Sequence, residues 1–192
     1  MKRFSERMGL KKVKTDIQVD SIDEALRNCL WNVLTVYYWE SEKPERPYVT
    51  EPSPHMKVFL KKLWQNYFKE SFDSIPDYWN NIHEKLQLYY FNCEWYEVYD
   101  VLEFTAHFYP RETVNKEFMD ACNSVLESEL SAYRFVGGKI TQITSEEEIS
   151  EIEEALETPL EPVRVHLGKA LKLMSDKKSP DYRNSLKESI VL

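Results

Sequence analysis

Glycine is nearly absent from this 192-residue chain: Gly9, Gly137, Gly138 and Gly168 are the only four. Neither a Walker loop nor a GxGxxG turn can be written with them, so cradling of a nucleotide by a glycine-rich loop is excluded. The adjacent pair Gly137-Gly138 separates two β-prone runs, 133–136 and 139–143. A two-residue hairpin turn needs positive φ at both central positions, which glycine adopts without a Cβ clash. The pattern therefore predicts one small β-hairpin near 133–143. Everything else reads as helix, giving a mainly α domain.

Prolines and caps divide the helical part. The run Asp20-Ser21-Ile22-Asp23 reads as a capped start, followed by Leu26, Cys29, Leu30, Val33, Leu34 and Tyr37 at helical spacing as far as Trp39-Glu40. A proline-bearing loop over 41–54 leads to a second apolar stripe, from Met56 and Phe59 to Tyr67 and Phe68. After Pro76 comes a segment, 78–109, that holds eleven aromatic residues. It is too long for one ordinary helix, and Asn92-Cys93 is the expected break. Pro110 ends it. Phe118, Cys122, Val125, Leu126, Glu129 and Leu130 mark the helix that feeds the hairpin. Beyond the hairpin, Thr144-Ser145-Glu146 opens a further helix, Val165 to Leu173 another, and Ser179-Pro180-Asp181 a short last one.

Composition bounds the function classes. The net charge is −8, a poor starting point for binding nucleic acid, and no stretch is apolar enough for a membrane span or a signal peptide. Cys29, Cys93 and Cys122 are widely spaced and form no CxxC, which suits reduced thiols in the cytoplasm. Charge is segregated: 1–20 is basic, 146–157 carries seven acidic and no basic residues, and 163–187 is basic again. These strips are either solvated faces or contact surfaces.

Candidate chemistry is sparse. Glu94, Glu97, Asp100 and Glu103 recur at three-residue steps, and His107 lies four residues beyond Glu103. Such a stripe could hold Mg²⁺, or it is the polar side of an amphipathic helix. Di-metal helical bundles use Glu-x-x-His on two helices, which this chain lacks, and His83-Glu84 has no second His for a zinc-protease helix. Cys93 and Cys122 sit among apolar and aromatic neighbours and read as packing residues. Lys11, Lys12 and Lys14, and Lys61-Lys62 beside Trp64 and Tyr67, combine charge with aromatics. The apolar periodicity turns those rings inward, away from a nucleic-acid stacking role. No cofactor is implied.

Three stretches taken together resemble the N-terminal domain of AbiJ-type abortive-infection proteins of bacteria. They are Arg3-Phe4-Ser5-Glu6-Arg7-Met8-Gly9-Leu10-Lys11, the run from Ser131 through Tyr133-Arg134-Phe135-Val136-Gly137-Gly138-Lys139-Ile140 to Glu148, and Ser175-Asp176-Lys177-Lys178-Ser179-Pro180-Asp181-Tyr182-Arg183 with its continuation to Ser189. The segment Glu94-Trp95-Tyr96-Glu97-Val98-Tyr99-Asp100 belongs to the same resemblance. It implies that 1–178 is an accessory helical domain. It further implies that 179–192 begins a HEPN-like helix, cut short, or forms a C-terminal tail. The implied role is phage defence in the cytoplasm, as a non-catalytic sensor or interaction domain whose partner is a HEPN-domain protein or a second copy of the chain. HEPN ribonucleases carry Arg-x(4–6)-His. None of His55, His83, His107 and His166 follows an arginine at that spacing, so no catalytic residue carries over. Two alternatives stand beside this reading: a metal-assisted nuclease using Glu94, Glu97, Asp100, Glu103 and His107, and a truncated remnant of a HEPN ribonuclease toxin with no activity of its own.

Overall fold

Asp23 starts the first long helix. Its carboxylate accepts from the Leu26 backbone N–H at 2.9 Å, so the cap lies at the last residue of the expected capping run rather than at Asp20. The computed structural model describes residues 4–10, 14–42 and 51–142. A short helix, α1 (Phe4–Arg7), precedes α2 (Glu24–Leu34), α3 (Pro54–Lys62), α4 (Trp79–Asn92), α5 (Trp95–Phe108) and α6 (Glu112–Ser128). The strands β1 (Tyr133–Val136) and β2 (Lys139–Gln142) pair antiparallel. Among the described residues the fold is mainly α with one small hairpin, as the sequence implies. The helices expected after residue 143, the boundary at 178 and the charged strips there lie outside the described residues. No described helix is long and apolar enough to cross a membrane.

Aromatic packing decides how two helices end. Helix α2 continues as a π turn over Thr35–Trp39, and α3 does so over Leu63–Phe68. In each, the closing N–H reaches back five residues, from Glu40 to the Thr35 carbonyl and from Lys69 to that of Trp64. The wider turn lets two consecutive large side chains face the core, Tyr38 with Trp39 and Leu63 with Trp64, while Val36 stays outside. Tyr38 packs its ring against Tyr109 at 4.6 Å and Phe118 at 4.8 Å, and Trp39 lies 5.8 Å from Trp79. The Tyr38 hydroxyl donates to Asn115 Oδ1 at 3.1 Å, and Asn115 Nδ2 donates to the Tyr109 carbonyl at 2.8 Å. This buried amide thereby joins α6 to α2 and to the end of α5.

The break in the long aromatic segment falls where its sequence places it. Helix α4 stops at Asn92, and Glu94 opens α5 in a capping box in which the Glu94 N–H donates to Glu97 Oε2 at 2.8 Å. Glu42 and Ser53 fasten the two ends of the proline-bearing loop. Both the Ser53 hydroxyl, at 2.6 Å, and its N–H, at 2.7 Å, donate to the Glu42 carboxylate.

Helix α6 ends two residues earlier than the apolar spacing suggests. Leu130 takes a left-handed φ of 56°, the Leu130 N–H donates to the Glu127 carbonyl at 3.0 Å, and the Ser131 N–H to that of Leu126 at 2.8 Å. This is a Schellman end built on leucine where glycine is usual. Residue 18 docks on it. The Gln18 N–H donates to the Leu130 carbonyl at 2.8 Å, the Ala132 N–H donates to the Gln18 carbonyl at 2.9 Å, and Gln18 Nε2 donates to the Glu129 carbonyl at 2.8 Å. The other side-chain atom, Oε1, accepts from the Asp23 N–H at 2.6 Å. Replacing Gln18 by Ala strands the Glu129 carbonyl and the Asp23 N–H. The expected loss is about 2–3 kcal/mol, read as a lower urea midpoint with unchanged slope.

Candidate functional site

The hairpin is held to the helices by side chains, and this determines what the acidic stripe of α5 can do. Phe135 pairs with Ile140, one step from the Val136–Lys139 pair that flanks the turn. In an antiparallel ladder the N–H groups of such an alternate pair point outward and need other partners. The Phe135 N–H donates to Asn123 Oδ1 at 2.7 Å, and Asn123 Nδ2 donates back to the Phe135 carbonyl at 2.9 Å. The Ile140 N–H donates to Glu103 Oε2 at 2.9 Å. Glu103 is therefore an edge clamp for β2. Gly137 and Gly138 both take positive φ, 56° and 80°, as the two-residue turn requires.

Glu97 is also committed. Besides closing the capping box, its Oε1 accepts from the Tyr89 hydroxyl at 3.2 Å, and Tyr89 shares a 3.0 Å hydrogen bond with the Tyr67 hydroxyl. Burial holds both phenols above their ordinary range, so they stay neutral donors. Asp100, Glu103 and His107 line a shallow groove of about 320 Å³ with Tyr67, Phe104 and Phe108. The structure thus brings three of the five nominated residues along one surface, turns Glu97 toward Tyr89 and leaves Glu94 at the start of α5. Desolvation, then the like charges of Glu103 and Glu97, push the Asp100 carboxyl upward. Among the described residues no three His, Cys, Asp or Glu side chains come together as metal ligands.

A second cavity, of about 960 Å³, opens between the end of α5, the first turns of α6 and the hairpin turn. Lys62, His107, Arg111, Lys116 and Asp120 line it, with Gly137 and Gly138 at the rim. His107 and Phe108 belong to both cavities. The Phe108 ring meets the His107 ring edge-on at 4.7 Å and lies 5.5 Å beneath the Lys62 ammonium. Lys62 comes from the end of α3, and Arg111 and Lys116 from the start of α6; the two stretches share no motif, and Pro110, which turns the chain from α5 into α6, is the sole local signal.

Cys93, Cys122, Trp64 and Lys14 serve packing or pairing. Cys122 is buried and its thiol is pushed well up by desolvation. Cys93 is half-buried, raised by the same cause, and lies 3.8 Å from an Arg27 nitrogen. Both fit packing roles, since a reactive thiol needs a lowered pKa. Trp64 is fully buried, as the apolar spacing requires, and Tyr67 is half-buried. Lys14 is paired with Asp23 at 2.6 Å, while Lys11 and Lys12 lie outside the described residues.

Glu103→Gln keeps an acceptor for the Ile140 N–H and should leave stability within about 0.5 kcal/mol of the parent, whereas Glu103→Ala should cost about 1–2 kcal/mol in urea unfolding. Asp100 gives a pH signature. Its folded pKa lies above the ordinary 3.8, so the folded state holds the proton more tightly and stability declines as pH rises through that window. Asp100→Asn should therefore raise the melting temperature at neutral pH, and the gain should shrink toward zero as pH falls below 3.8. Thermal melts across this range check it.

The family model described as AbiJ N-terminal domain 4 matches residues 2–158. No curated protein and no solved structure matches the chain.

Proposed function

The chain belongs to the AbiJ N-terminal domain 4 family, and on that premise we propose that it is a non-catalytic sensor or interaction domain of a bacterial abortive-infection system. Its partner on this reading is a HEPN-domain protein in the cytoplasm, and the ribonuclease chemistry belongs to that partner. The observation that carries the reading is the commitment of the α5 carboxylates. Glu97 caps its own helix and accepts from Tyr89, and Glu103 satisfies the N–H of Ile140. A metal-assisted nuclease needs such groups free to bind cations, and here Glu97 and Glu103, two of the five candidates, serve the fold.

Size-exclusion chromatography of the full chain with the HEPN region of a full-length AbiJ-type relative tests the proposal. Co-elution at micromolar concentration is expected, and separate elution refutes it. A parallel incubation with RNA and DNA in Mg²⁺ or Mn²⁺ should give no cleavage. Cleavage that disappears in Asp100→Asn and in His107→Ala would establish the nuclease reading instead.

A further inference from the structure

The cavity between α5, α6 and the hairpin turn gathers cations and an aromatic ring. Its volume of about 960 Å³ matches the upper end of small-molecule sites, roughly 300–1,000 Å³. Among the described residues Lys62, Arg111 and Lys116 form no ion pair, whereas Lys14, Lys57 and Lys85 each pair with a carboxylate. Three cations around one concavity exceed its two carboxylates, Glu112 and Asp120, by one charge, which favours an anionic occupant. Arginine offers a planar fork matched to phosphate oxygens, and lysine adds a mobile point charge.

Two further features narrow the class of anion. Phe108 is half-buried, lines the cavity, and is backed by Phe104 at 4.4 Å. A ring fixed in this way takes a nucleobase, which stacks without regard to base identity, once the Lys62 ammonium 5.5 Å over it swings to the phosphates. The exposed carboxylates of Glu112 and Asp120 line the same cavity. They would oppose a bare phosphate, but they suit the hydroxyls of a ribose.

We propose that this cavity binds a nucleotide, with Arg111, Lys116 and Lys62 on the phosphates, Phe108 against the base and the Glu112 or Asp120 carboxylate on the sugar. Binding rests on side chains rather than a glycine-rich loop, which agrees with the chain's lack of one. The inference rests on the sensing role proposed above and supplies the ligand class for it.

Isothermal titration of the full chain with ATP, inorganic phosphate and adenosine in low-salt buffer separates the sources of the chemistry. ATP should bind saturably and at least tenfold more tightly than phosphate or adenosine. Arg111→Ala and Lys116→Ala should each weaken ATP by roughly tenfold, with melting curves confirming that they fold. Lys57→Ala, outside the cavity, should leave affinity unchanged. Absence of saturable ATP binding at millimolar concentration overturns the proposal, as does phosphate or adenosine binding equal to that of ATP, or indifference to both substitutions. The titration uses the chain alone, so its failure is distinct from failure to co-elute with a HEPN partner.

Discussion

Gln18 satisfies backbone groups on both sides of the chain's main junction, and the arrangement of the helices follows from it. Its main chain bridges Leu130 and Ala132, while its side chain joins the Glu129 carbonyl to the N–H of Asp23. A helix end leaves carbonyls without partners, and burying them unpaired is costly. At the end of α6 a glutamine more than a hundred residues away in sequence supplies part of what is missing. The same amide positions Asp23, the cap of α2, so the start of one helix and the end of another are set together. Lys14 reinforces the junction by reaching both Asp23 and Glu129.

From that junction the hairpin leaves in a fixed direction, and its outward-facing backbone is finished by side chains. Asn123 and Glu103 supply the acceptors that a third and fourth strand would otherwise provide. A two-stranded ribbon is marginal by itself, and here its stability is borrowed from α5 and α6. One consequence is functional. Carboxylates spaced along a helix suggest cation binding only until their partners are known, and β2 takes up one of the most suggestive of them. The same clamps set the hairpin turn at the rim of the basic cavity, so packing and the candidate site share a cause.

Much of the fold was legible in the residues. The Gly137-Gly138 turn, the Asn92-Cys93 break and the inward-facing Trp64 follow from local chemistry: φ preference, capping and apolar period. The π turns at Thr35–Trp39 and Leu63–Phe68 were not legible, because they arise from fitting adjacent aromatic residues into one core. The apolar spacing places Leu130 inside α6, whereas the chain there turns left-handed to meet Gln18. The site was less legible than the fold. Glu97, Asp100, Glu103 and His107 form a regular stripe in sequence, yet Glu97 is engaged by Tyr89 of α4 and Glu103 by Ile140 of β2. The basic cavity draws on three stretches with no common pattern.

The residues by themselves determined the mainly helical character and the hairpin of the described part, the family, and the lack of a glycine-rich phosphate loop, since each depends on local conformational preference or on the order of residues. Tertiary structure alone decided which carboxylates remain available, which cations converge and where the chain's distant parts are joined. Those outcomes depend on hydrogen-bond partners and unpaired charges brought together from far apart, and a linear pattern carries no record of such distances.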